Sequence, residues 1–139
     1  MRDNVNSFKI VNALGYAART ATVSGEVIDV QGYDKATIVV QVGTVTTADA
    51  TNKFAIDLYH GDLASGTDAT TVPAAQRIGS AFDIDASGDA DKTGAFGYLG
   101  NKRYIRLQAT ESGTASVVFG ATALLGAGAQ QPSQAADLN

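Results

Sequence analysis

Cysteine and tryptophan are both missing from the 139 residues, and there are only two prolines, one methionine and one histidine. Without cysteine the chain has no disulfide framework, no thiolate zinc site and no cysteine nucleophile, so the fold must rest on its core. With a single histidine, any imidazole metal cluster or histidine general base would depend on His60 alone. His60 ends a predicted strand beside Gly61 and Asp62, and is read as a structural or solvent-facing side chain rather than a catalytic one. Glutamate occurs only at Glu26 and Glu111, both at predicted turns or strand starts. The aspartates fall in loops where water keeps them ordinary anions, so the pair of carboxyls that glycoside hydrolysis needs, one of them desolvated, is not in view. The expectation is a protein without enzymatic chemistry and without a cofactor.

Charge is also scarce. Charged residues make up 17% of the chain, below the roughly 25% usual for soluble domains. A surface with so few charges is expected to be covered by partner subunits in its working state. The net charge of −4 and pI near 4.7 argue against a nucleic-acid surface, which concentrates Lys and Arg. The opening MRDNVNSFKI has no apolar core of a secretory signal, and no apolar run approaches a membrane span. Synthesis and folding in a cytoplasm, with no membrane partner, are expected.

What the chain does have is alternation. In Tyr104 to Thr110, Ile105, Leu107 and Ala109 take one side and Tyr104, Arg106, Gln108 and Thr110 the other, the period of a half-buried strand. Phe54, Ile56 and Leu58 alternate in the same way, as do Ile38, Val40 and Val42, and Val117, Phe119, Ala121 and Ala123. A short strand is predicted near Phe8 to Val11. Two β-rich runs are predicted on either side of a bend or bulge at Gly25, and another strand near Ala81 to Ile84. Gly43 to Asn52 and Gly61 to Thr71 read as loops, and at most one short helix follows Pro73. Gly94 to Thr110 reads as two extended segments folded back on each other at Gly100-Asn101, a dipeptide that accepts a tight hairpin turn. The sum is an all-β fold, an antiparallel β-sandwich or jelly roll of about eight short strands with little helix, a closed barrel being the competing architecture. Residues 1–7 are predicted as an arm, 8–125 as the single domain, and 126–139 as a tail too poor in apolar residues to order itself.

Two clusters stand out as candidate sites. Asp83, Asp85, Ser87 and Asp89, with Gly88 and Asp91, reproduce the opening of a calcium loop. The twelfth position is Gly94, so the bidentate glutamate is missing, and the stretch is read as a solvated acidic turn, with calcium binding as the alternative. Lys102, Arg103 and Arg106 form the one basic cluster, interleaved with Tyr98 and Tyr104. Arg and Tyr are enriched where proteins meet, so Lys102, Arg103, Tyr104 and Arg106, together with Gln130 and Pro132 in the tail, are candidate partner contacts. A cross-strand charged face remains the other reading. Tyr33, Tyr59, Tyr98 and Tyr104 are the aromatics a carbohydrate-binding module would have to align.

Gly25-Glu26-Val27-Ile28-Asp29-Val30-Gln31-Gly32-Tyr33, then Ala36-Thr37-Ile38-Val39-Val40, then Gly97-Tyr98-Leu99-Gly100-Asn101-Lys102-Arg103-Tyr104-Ile105-Arg106 resemble a family of small tailed-phage head proteins, the capsid cement or decoration proteins. Gly61-Asp62, Ile78-Gly79 and Leu125-Gly126 match more loosely. The resemblance implies a jelly-roll fold and a structural role on the outer surface of the virion head. It also implies two partners: a major capsid protein of HK97-type fold, whose capsomers it would bridge, and itself, as a homodimer. A tail or receptor-binding component is the alternative placement on the particle.

Overall fold

The computed structural model of the chain describes residues 7–128. Residues 1–6 of the expected arm and 129–139 of the expected tail, including Gln130 and Pro132, lie outside the described residues. Eleven strands follow one another among those described. They are β1 (Phe8–Arg19), β2 (Val23–Ser24), β3 (Ile28–Asp29), β4 (Tyr33–Thr47), β5 (Lys53–Gly61), β6 (Thr70–Thr71), β7 (Arg77–Ile78), β8 (Phe82–Ile84), β9 (Thr93–Tyr98), β10 (Tyr104–Ser112) and β11 (Ser116–Gly128). The short helix expected after Pro73 is a single 3-10 turn, Ala74–Gln76.

The alternating runs become strands with one face in the core. Ile38, Val40 and Val42 of β4, Phe54, Ile56 and Leu58 of β5, and Ile105, Leu107 and Ala109 of β10 are all buried. The strands form two antiparallel sheets, β1-β11-β4-β9-β7 and β2-β10-β5-β6, with β3 also on β10 and β8 also on β5. β2 and β3 share the same edge of β10 and act as one strand broken at Gly25. There Gly25 N–H donates to Leu107 O and Glu26 N–H donates across to Ala13 O in the other sheet, both at 2.8 Å. β6 and β8 likewise share one edge of β5. Counting each broken strand once and β7 as an addition to the rim, the chain order is 1-8-3-6 in one sheet and 2-7-4-5 in the other, which is the strand order of a jelly roll. The fold is an antiparallel sandwich, and two separate sheets rule out the closed barrel.

The core lies between the inner faces. Phe54 of β5 meets Phe119 of β11 edge to face, with ring centroids 5.1 Å apart, and Phe82 stacks on Phe96 at 5.7 Å. These contacts join the two sheets through aromatic side chains of large buried area.

Several sequence expectations are corrected. β1 runs through 12 residues rather than four, because its register against β11 breaks between Asn12 and Leu14 and again between Leu14 and Ala17. The second break lifts Gly15 and Tyr16 over Gly120, where a Cβ would lie 2.7 Å from Tyr16 Cα. Such bulges erase the period-2 pattern by which a strand is recognised. β4 extends to Thr47, five residues into the stretch read as loop, and β11 reaches Gly128. The hairpin expected at Gly100-Asn101 does not form: β9 pairs with β4 and β7, while β10 pairs with β5, β2 and β3. Gly100 and Asn101 are not among the residues of positive φ, so the backbone there makes no type I′ turn and instead crosses from one sheet to the other.

Gly32, in the turn before β4, does need its conformational freedom, with φ at 86° and open space where a side chain would stand. Gly32→Ala should therefore cost about 1 kcal/mol through backbone strain alone. A urea titration that shows no loss would mean that the turn relaxes into another conformation.

Candidate functional site

At the end of β9 the Tyr98 side chain turns into the protein, and the following loop closes around it. Its hydroxyl accepts Lys102 N–H at 2.9 Å and lies 2.9 Å from Nδ1 of His60, the two rings meeting edge to face at 5.7 Å. The Tyr98 hydroxyl also lies 3.4 Å from Lys102 O, so its proton has two acceptors, that carbonyl and the imidazole nitrogen, and the tautomer of His60 decides between them. Burial, and after it the Lys102 charge, lowers the His60 pKa below its ordinary 6.5. Burial also raises that of Tyr98. Of the two roles read for His60, the structural one holds: the residue is only 7% exposed. Gly100 is required because a Cβ would run into the Tyr98 ring. Leu99 N–H donates to Gln76 O at 2.8 Å while the Leu99 side chain stays 59% exposed.

This loop presents the basic cluster at one pole of the sandwich, but not as free positive charge. Lys102 pairs with Asp62, and Arg103 with Asp29, Nη2 lying 2.7 Å from Oδ2 and Nε 3.1 Å from Oδ1. The Arg103 hydrogen bond holds the Asp29 carboxyl below its usual range, and the Asp62 carboxylate raises Lys102. The Arg103 guanidinium also lies over the Tyr104 ring at 5.1 Å, and Arg106 lies over Tyr59 at 5.9 Å. Lys102, Arg103 and Tyr104 thus sit together, while Arg106 lies two residues along β10 on the outer face of the second sheet. Two further ion pairs lie nearby on β5: Lys53 pairs with Asp83 of β8 in the same sheet, and Asp57 with Arg77 of β7 from the other sheet.

Next to the loop is a shallow hollow of about 310 Å³ lined by Val30, Gln31, Tyr33, Gly100, Asn101, Lys102 and Arg103. Tyr33 is the register partner of Gly128, and Phe8 that of Gly126. The first strand therefore begins, and the last strand finishes, at the pole that carries Leu99, Lys102 and Arg103. Sequence reading named Tyr33 among the candidate aromatics but missed Asp29 and Asp62 as the partners of the basic cluster. The Arg103 and Asp29 pair is separated by 74 residues, and only strand pairing brings it together.

The acidic motif is spread out rather than gathered. Asp83 lies on β8, 2.6 Å from Lys53, whereas Asp89 folds back on its own turn, accepting Asp85 and Ala86 N–H at 3.1 Å each and Lys92 Nζ at 2.8 Å. Ser87 begins the 3-10 turn that carries Asp89. Among the described residues no three His, Cys, Asp or Glu side chains are placed to hold a metal ion. Nor do the four tyrosines form a platform, since Tyr98 is buried and Tyr59 lies beneath Arg106. No helix among the described residues is long and apolar enough to cross a membrane. Neither a protein-family model nor a curated protein matches the sequence.

Proposed function

We propose that the chain is a structural virion protein of a tailed phage that binds the outer surface of the head and bridges major capsid protein subunits of HK97-type fold. One observation carries this reading. The two stretches most similar to the cement proteins, 25–33 and 97–106, are far apart in the chain but form one continuous surface. Ile28 and Asp29 of β3 pair with Ile105 and Tyr104 of β10, Val30 N–H donates to Arg103 O at 2.9 Å, and the Asp29–Arg103 ion pair closes the seam. Residues that resemble a binding protein and also share one pole beside both ends of the first sheet are suited to contact a partner there. A ligand that binds only the assembled shell stabilises it by mass action, and many weak contacts over a lattice add up to resistance to heat and to DNA pressure.

Cutting the chain after Gly128 tests the tail without touching β11. The cut belongs there and not at Gly126, because Gly126 and Gly128 still pair with Lys35 and Tyr33. The shortened chain should keep its β circular-dichroism spectrum and melting temperature, while its occupancy on purified heads at limiting concentration falls at least about tenfold, the equivalent of roughly 1.4 kcal/mol per site. Unchanged occupancy would remove 129–139 from the contact, and absence of the chain from heads altogether would remove the proposal.

A further inference from the structure

Four of the five tyrosines form no platform, but the fifth, Tyr16, is built as one. The register of β1 breaks on both sides of Leu14, which raises Gly15 and Tyr16 as an arch over β11. Two glycines on the neighbouring strands make room for the side chain. At Gly120 of β11 a Cβ would stand 2.7 Å from Tyr16 Cα and 2.9 Å from its backbone nitrogen, and at Gly43 of β4 a Cβ would collide with the Tyr16 hydroxyl. The ring therefore reaches from the arch across β11 to β4, its tip seated on Gly43, and still Tyr16 is 61% exposed. Bulges re-aim side chains beside binding sites, and a glycine within a strand marks a close approach. A ring held by two register breaks and two glycines, yet open to water, is placed for something other than the core. Between the arch and the sheet lies a hollow of about 450 Å³, a size that takes a small ligand. Tyr16 and Val39 line it together with three polar side chains, Asn12, Gln41 and Thr122. Thr122 is the register partner of both Asn12 and Val39, and Gln41 that of Gly120, so the polar groups stand on three adjacent strands in two successive rows. All three are exposed, and no residue lining the hollow is charged at neutral pH.

We infer that this hollow binds a neutral saccharide, one sugar ring lying against Tyr16 and its hydroxyls meeting Asn12, Gln41 and Thr122. The chemistry of the lining selects the ligand. A carboxamide sets a donor beside an acceptor and a hydroxyl is both, which is what neighbouring sugar hydroxyls require of a partner. The C–H face of a sugar ring has no hydrogen bonds to make and packs on an aromatic surface. An anion finds no cation among the lining residues, and a cation finds no carboxylate. A wholly apolar ligand would strip water from two amides and a hydroxyl and give them nothing in return. Because the ring is already seated on Gly43, little ordering entropy is lost when the sugar arrives.

Saturation-transfer NMR on the full chain tests this, with glucose, galactose, mannose, N-acetylglucosamine, maltose, lactose and cellobiose each at about 10 mM. At least one of these sugars is expected to bind with a Kd of roughly 1 mM, and Tyr16→Ala to weaken it at least about tenfold. Gln41→Ala should weaken it about threefold or more, whereas Thr110→Ala, on the outer face of the second sheet, should bind like the unaltered chain. Far-UV circular dichroism monitors folding, and Gln41→Ala alone serves if Tyr16→Ala does not fold. Transfer to none of the sugars, or binding indifferent to both substitutions, overturns the inference. So does sialyllactose binding more tightly than lactose, since a site without cations has no use for the added carboxylate. If no sugar binds and Tyr16→Ala instead alters self-association or head binding, the hollow belongs to a protein contact and the inference fails. The inference does not rest on the head-binding proposal: a Tyr16-dependent sugar site on a chain that never binds heads would uphold it while sinking that proposal.

Discussion

Replacing Phe119 with alanine is expected to lower the unfolding free energy by about 3–5 kcal/mol, a large part of the roughly 5–15 kcal/mol a domain of this kind possesses. Phe119 is fully buried on β11, the strand flanked by β1 and β4, and its ring meets Phe54 from the other sheet. Truncation removes the transfer energy of the ring, leaves a cavity that two hydrogen-bonded sheets cannot readily collapse, and ends the edge-to-face contact. It also leaves the Arg19 guanidinium, 5.6 Å from the ring centroid, without its apolar support. Phe119→Leu, which keeps most of the volume, should cost about 1–2 kcal/mol. Urea titrations of the three proteins give the comparison directly. A loss below about 1 kcal/mol for the alanine variant would mean that the sheets are not held by this contact.

The second large effect is expected at Tyr98. Tyr98→Phe keeps the ring but leaves the His60 imidazole nitrogen and Lys102 N–H facing an apolar edge. Unpaired buried groups of this kind cost about 1–3 kcal/mol. The same site gives stability a pH dependence near neutrality. The folded-state pKa of His60 lies below its ordinary 6.5, so its contribution is fully present above pH 6.5 and is lost as the pH falls through the folded value. Protonation makes Nδ1 a donor to the Tyr98 hydroxyl, which leaves the hydroxyl's own proton only the long contact to Lys102 O at 3.4 Å. The charged groups facing this pair are Lys102, which disfavours the imidazolium, and Asp62, which favours it. Asp29, Asp68 and Asp89 also have lowered values, but the stability they supply is present above 3.8 and is lost only in stronger acid. Urea midpoints at about pH 7.5 and pH 5 should therefore fall further in the unaltered chain than in His60→Gln. Equal pH slopes in the two proteins would show that the imidazole does not titrate in this way.

Which parts of the fold could be read in advance follows from what alternation encodes. β5 and β10 announce themselves because every second residue is a large apolar one and no bulge interrupts them, and the register between them is continuous from Tyr104↔Gly61 to Ser112↔Lys53. β1 is hidden because two register breaks scramble its pattern, and because Ala13, Gly15, Ala17 and Ala18 give little hydrophobic contrast. The last third of β4, Gly43 to Thr47, reads as loop because Thr44, Thr46 and Thr47 are small, polar and exposed and only Val45 packs against the core. Pairing was the real gap. Period 2 says which residues point inward but not which strand lies alongside, so Gly94 to Thr110 read as a hairpin although its halves belong to different sheets. The candidate site was legible to the same degree. Lys102, Arg103 and Tyr104 are visible as a local cluster, whereas their carboxylate partners Asp62, just past β5, and Asp29, on β3, are distant in sequence and carry no local signal.

The placement of β11 has a consequence for how the protein comes into being. The last strand among the described residues lies inside the first sheet, between β1 and β4, and most of that sheet's backbone bonds run through it. During synthesis β1 and β4 must therefore remain without their shared neighbour until β11 has been made, so the first sheet cannot close before then. Such wide sequence separation makes for slow closure. For that interval the nascent chain carries two unsealed apolar strand edges, the condition in which a chaperone is most needed.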